Sequence, residues 1–202
     1  MSFDTWLAFT LFWALFVTTP GPNAVNCISV GMTTGMPRAL WTVAAILTQA
    51  FLFLWGAALG VSAFILAAPG AYLALQLVGA LVLIALGVRG WLRAHLPPEV
   101  PKGSGGIYGR AFMIATVNAK SLAGYIAGVS QFVDPSASVL PQMVVIAPTA
   151  LSLTALSYTG YVTLGAWVGR AALGAVFNIW VRRVLAGCFV LYGVVLAWVA
   201  IG

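Results

Sequence analysis

Long apolar runs separated by short clusters of glycine, proline and arginine dominate the chain. At about 20 residues per crossing, they predict six spanning helices joined by short connections. Span 1 covers about Thr5 to Met32, with Ser2 or Asp4 available as its N-cap. Its first half runs from Trp6 to Val17 and its second from Asn23 to Met32, on either side of Thr18-Thr19-Pro20-Gly21-Pro22-Asn23. Span 2 covers about Ala39 to Ala63, span 3 Ala71 to Val88, and span 4 Ala111 to Phe132. Span 5 covers Leu140 to Val168, with a kink expected at Pro148, and span 6 covers Val184 to Ala200. The one long polar stretch holds Arg89, Arg93, His95, Glu99, Lys102 and Arg110 with Pro97-Pro98 and Gly103-Ser104-Gly105-Gly106. It reads as a linker over about 91–110. Residues 170–183 carry Arg170, Arg182 and Arg183 around Phe177 and Trp180, and suggest a short amphipathic helix along the interface.

The break in span 1 is the most informative local feature. Each proline lacks an N–H and clashes with the preceding turn, and the residue before each is pushed out of helical geometry. Pro22 suits the first position of a new helix. Broken backbone at membrane depth survives only where it is buried in protein or lines a cavity. A single kink would only shape packing; Pro20-Gly21-Pro22-Asn23 together point to a binding site.

Composition narrows the class. Of 202 residues, 62% are hydrophobic and 6% charged, against roughly 25% charged in soluble domains. The chain is therefore read as a single all-α transmembrane domain, residues 1–202, with no separate soluble domain. No basic residue precedes Arg38, so a cleaved signal peptide is not expected. The charge of +6 sits in particular connections, which argues against a nucleic-acid partner. Connections 1–2, 3–4 and 5–6 carry the arginines and Lys102, while 2–3 and 4–5 carry no Lys or Arg. The positive-inside rule then places the odd connections in the cytoplasm and both termini outside. Spans 1–3 (about 1–90) and spans 4–6 (about 111–202) enter from opposite sides. They form two inverted three-helix repeats.

Both repeats open with a span carrying a polar motif near mid-depth. Gly21 lies about 18 Å of helix from Thr33, and Lys120 about 15 Å from Arg110. Both distances put the motif near the middle of a roughly 30 Å core. Corresponding interrupted helices in inverted halves point to a transporter's midplane site. Lys120 stands out, because a lysine at the centre of a spanning helix costs roughly 2.5–3.5 kcal/mol on insertion scales. Its alternatives are a role in a pathway or a snorkelling contact with headgroups. In the first role it is a candidate both for holding a carboxylate and for proton coupling. Asn23 and the free N–H groups opening the second half-helix add an anion-favouring end. The carbonyls of Val17 to Thr19 are candidates for an ammonium group. Candidate substrate-binding residues are Pro20, Gly21, Pro22, Asn23, Asn118 and Lys120. Gln49 and Gln76 either line the same cavity or bond between helices.

What is missing also informs. Asp4, Glu99 and Asp134 all fall at ends or in loops, so a cationic cargo would find no acid within a span. No Cys/His cluster has metal-ligand spacing, and no nucleophile elbow or phosphate loop is present. Neither an enzyme nor a resident cofactor or metal is expected. Cys27 and Cys188 read as packing residues. Gly56/Gly60, Gly124/Gly128 and Gly165/Gly169 have a spacing suited to close helix approach, within the chain or in a homodimer.

Thr19-Pro20-Gly21-Pro22-Asn23, followed by Gly31, Gly35 and Arg38, resembles the N-terminal signature of the lysine exporter (LysE) family, including its homoserine/threonine resistance branch. Asn118-Ala119-Lys120, Gln131-Phe132-Val133-Asp134-Pro135, Gly169-Arg170 and Arg182-Arg183 resemble later motifs of the same family. The resemblance covers nearly the whole chain. It implies a multi-pass exporter of amino acids or related metabolites in the bacterial inner membrane, driven by proton antiport. Ala119 replaces the family's usual proline, which leaves room for a more regular span 4. The cargo read here is a small neutral amino acid. A different metabolite, a cation, and a scaffold without cargo are the rival readings.

Overall fold

The computed structural model describes residues 1–67, 69–96, 106–169, 171, 174 and 178–201. Among them are eight α-helices: α1 (Phe3–Thr18), α2 (Pro22–Thr34), α3 (Met36–Ala67), α4 (Pro69–Leu92), α5 (Ile107–Val117), α6 (Ala119–Phe132), α7 (Val139–Val168) and α8 (Ile179–Ile201). Stretches within α3 and α4, and the whole of α7 and α8, are long and apolar enough to cross a membrane. The α5–α6 pair, bent by 62°, adds a fifth candidate when taken as one span. α1 and α2 have 16 and 13 residues, about 24 Å and about 20 Å of helix. Neither alone matches a core of roughly 30 Å.

Local chemistry sets the ends. The Ser2 hydroxyl accepts the Thr5 N–H at 3.2 Å, capping α1. Gly21 is the N-cap of α2 and Pro22 its first residue, so the break falls where two prolines demand it. Gly35 turns the chain into α3 with φ +74°, a conformation that glycine adopts without strain. α4 opens at Pro69, ahead of the Ala71 start expected for span 3. α7 runs through Pro148. Its start is braced by Gln142, whose side-chain oxygen accepts the Asp134 N–H at 2.8 Å. In the same turn the Ser136 hydroxyl and N–H bind the Asp134 carboxylate, which holds its pKa below the ordinary carboxylate value.

Two sequence expectations shift. Arg89 lies inside α4, and helix and turn persist through Leu96, so the linker begins later than 91; residues 97–105 lie outside the described set. Arg182 and Arg183 belong to α8 rather than to a separate interfacial helix, and most of the segment 170–177 lies outside the described residues. Arg182 donates to the carbonyls of Ala94 and Leu96, tying α8 to the end of α4.

The interior is built from α1, α2, α6 and α7, with α3 alongside. Phe9, Phe12, Trp13 and Phe16 on α1 are buried with Tyr125 and Phe132 on α6. Their rings pack at centroid distances of 5.2 to 6.3 Å. Trp6 and Trp13 also donate their indole N–H groups to Thr149 and Thr154 of α7, both at 3.1 Å. Glycines permit the close crossings. A Cβ on Gly165 would run into the Ile28 carbonyl, and one on Gly31 would lie 2.5 Å from the Val162 carbonyl oxygen. Gly124 and Gly128 receive Phe16 and Trp13. Gly56 and Gly60, like Gly169, meet nothing within 4 Å, so neither member of this pair serves packing within the chain. Cys27 is buried and free, set 3.4 Å from the Thr42 hydroxyl.

Candidate functional site

The two interruptions meet. α1 ends at Thr18, where helix termini leave carbonyls without intrahelical partners. Three side chains from distant parts of the sequence fill them. Ser157 Oγ donates to the Val17 carbonyl at 3.1 Å. The Tyr161 hydroxyl donates to Thr18 at 2.6 Å. Lys120 Nζ donates to Thr19 at 2.6 Å. The lysine also lies over the Phe16 ring, 5.1 Å from its centroid, and its stem passes Gly21, where a Cβ would be 3.8 Å from Lys120 Cδ. These carbonyls were the expected ammonium site; the protein's own donors occupy them instead.

This arrangement explains how a lysine sits in the interior without an acid. The C-terminal end of α1 carries the partial negative charge of its helix dipole. The Thr19 carbonyl and the face of Phe16 complete a cation site from backbone and aromatic ring.

The second break forms without a proline. Asn118 lies between α5 and α6 in extended geometry (φ −73°, ψ 105°), and its side-chain oxygen accepts the Lys120 N–H at 3.1 Å. An asparagine N-cap starts a new helix by satisfying one of its free N–H groups. The more regular span 4 that Ala119 allowed is therefore corrected: the pair bends by 62°. Asn118, read as a cargo contact, has its oxygen engaged as this cap.

Around these breaks lie buried polar atoms without partners. Asn23 is 3% exposed, and its Oδ1 has no partner. Gln49 is fully buried, and both its amide nitrogen and oxygen lack partners. Thr116, two residues before the second break, has an unpartnered hydroxyl. The Cys27–Thr42 contact sets the relative height of α2 and α3. From it Gln49 is about 10.5 Å along α3 and Gly21 about 9 Å back along α2, so Gln49 stands level with the first break. Gln76 stands apart. Its backbone carbonyl accepts from the Gln131 side chain, which is about 16 Å along α6 from Lys120.

Sequence reasoning missed Phe16, Tyr161 and Tyr158 as part of this centre. Thr154, Ser157, Tyr158 and Tyr161 recur at three- and four-residue spacing, the signature of one helix face. Among the described residues, no group of three or more metal-ligating side chains forms a cluster.

These features define a class: a multi-pass helical membrane protein in which two interrupted helices converge on a buried polar centre. The model of the LysE type translocator family matches residues 14–199, and the chain belongs to that family. It is 28% identical over 174 residues to an uncharacterized membrane protein of Vibrio cholerae, covering 84% of this chain and 85% of that one. It is 25% identical over 202 residues to the homoserine/homoserine lactone efflux protein of Salmonella typhimurium, covering 98% of each, and equally to that of Salmonella typhi. No solved structure matches the chain.

Proposed function

We propose that the protein is a secondary transporter that exports a small neutral amino acid, with the two breaks forming its midplane site. The observation that carries this reading is Lys120 of the second break donating to Thr19 of the first. A site shared by two interrupted helices can change its exposure when one half moves against the other. The Salmonella relatives are efflux proteins for homoserine and homoserine lactone, an activity of the same kind.

In this reading the chain crosses six times, with α1–α2 as one broken span and α5–α6 as another. The halves are inverted, and the arginine-bearing connections are cytoplasmic. Lys120 exchanges the Thr19 carbonyl for the cargo carboxylate, and Asn23 Oδ1 and Gln49 supply hydrogen bonds to the polar head. The described acids, Asp4 and Asp134, lie at the start of α1 and beyond the end of α6. A cargo with a cationic side chain would therefore have no counter-charge at the site. Proton antiport follows if Lys120 gives its proton to the cytoplasm as the cargo binds, its neutral amine still donating to the carboxylate, and takes a proton from outside as the cargo leaves.

Inside-out membrane vesicles containing the full chain test the reading. With the interior made acidic, labelled neutral amino acids should accumulate, and a protonophore should abolish the accumulation. Absence of accumulation for every amino acid, with the protein shown to be folded, would overturn amino-acid export. Accumulation insensitive to the protonophore would overturn the antiport.

A further inference from the structure

Gly56 and Gly60 were left without a packing role, and they face open space for a reason. With Phe53 they lie along one wall of an open groove of about 320 Å³ between α3, α6 and Leu75 of α4, opposite Leu122, Tyr125 and Ile126. Small-molecule sites start at roughly this size and are mostly apolar. Every side chain lining the cavity is apolar except Tyr125, whose ring also contacts Phe16 at 6.0 Å.

The cavity is not isolated from the polar centre. Gln49, Phe53, Gly56 and Gly60 fall at intervals of four, three and four residues, a single stripe along α3. Gln49 is thus one helical turn from the cavity wall, buried and with both amide atoms unpartnered. On the opposite wall, Leu122 is one turn from Asn118 and the start of α6. The groove's own walls are apolar, and its end nearest the two breaks lies one helical turn from these polar residues. A ligand matching that layout has a compact polar head and an apolar tail.

We propose that this groove seats the side chain of the exported amino acid, and that the cargo therefore carries a bulky apolar side chain of leucine or phenylalanine size. The inference rests on the reading of the two breaks as an amino-acid site. Gly56 and Gly60 act as specificity-determining positions, because any side chain there would fill the groove. Each methylene buried in it strengthens binding about fourfold, so cargo preference rises with side-chain size until the groove is full.

The test uses the full chain in inside-out vesicles with labelled alanine, homoserine, norvaline, leucine and phenylalanine. Wild type should take up leucine and phenylalanine at least tenfold faster than alanine or homoserine at low concentration. Gly56→Leu should lower leucine and phenylalanine uptake at least tenfold and leave alanine within twofold. A Cβ at Gly56 meets no protein atom, thermal unfolding in detergent checks that the variant is folded, and Gly60→Leu provides a second filling of the same space. A wild type that prefers homoserine or alanine while transporting amino acids overturns the groove assignment alone. So does a filled variant that slows every cargo equally, or none, the result expected if a lipid tail occupies the groove. A wild type that moves no amino acid overturns this inference together with the proposed function.

Discussion

Replacing Tyr161 with phenylalanine removes one atom from the interface that holds the end of α1. Tyr161 is 9% exposed, and its hydroxyl donates to the Thr18 carbonyl at 2.6 Å. Two estimates of the cost compete. Leaving a buried acceptor unpaired costs about 1–3 kcal/mol in proteins generally. Interhelical hydrogen bonds inside membranes average about 0.6 kcal/mol and reach about 1.7, because the unfolded chain in lipid also finds partners. The second governs here, since Thr18 ends a helix within the apolar part of the chain. At roughly 2–4 °C per kcal/mol for a chain of this size, the melting temperature in detergent should fall by only a few degrees. Transport should fall much further. The freed carbonyl lets the end of α1 shift, and a displacement of about 1 Å at a site can cost about a hundredfold. We therefore expect Tyr161→Phe to retain its fold and lose at least tenfold in initial uptake rate. Uptake within twofold of wild type, with the protein present in equal amount, would refute the reasoning that these carbonyl anchors set the site.

Two other outcomes follow from packing and capping. Gly165→Ala places a methyl group against the Ile28 carbonyl and should destabilise by about 1–3 kcal/mol, as overpacking does. Gly160→Ala on the same helix meets open space and should not, a contrast readable by thermal unfolding in detergent. Asn118→Ala removes the cap on α6 and should cost about 1 kcal/mol, whereas Asn118→Asp, which keeps an accepting oxygen, should melt near wild type.

The sequence made the helices and their breaks largely visible, for physical reasons that act locally. Prolines at positions 20 and 22 interrupt a helix whatever surrounds them, and a glycine before Pro22 suits a new helix start. A lysine in an apolar run announces itself by its cost. The partners of these residues were hidden because they lie more than 100 positions away. Nothing near Thr19 signals that Lys120 will meet its carbonyl, and nothing near Tyr161 points to Thr18. Ala119 misled because proline is one way to break a helix and an asparagine cap is another. Glycine pairs were ambiguous because spacing alone does not tell Gly124, which Phe16 covers, from Gly56, which nothing covers.

Counterflow in proteoliposomes tests the central claim most directly. Liposomes holding the purified full chain and a high internal concentration of an unlabelled neutral amino acid are diluted into a trace of the labelled one. Exchange under these conditions needs a working cargo site and no ion gradient. Wild type should accumulate label transiently, and Lys120→Met, with its orientation and amount matched, should not. Counterflow by Lys120→Met at the wild-type rate would contradict the claim that the lysine bridging the two breaks holds the cargo.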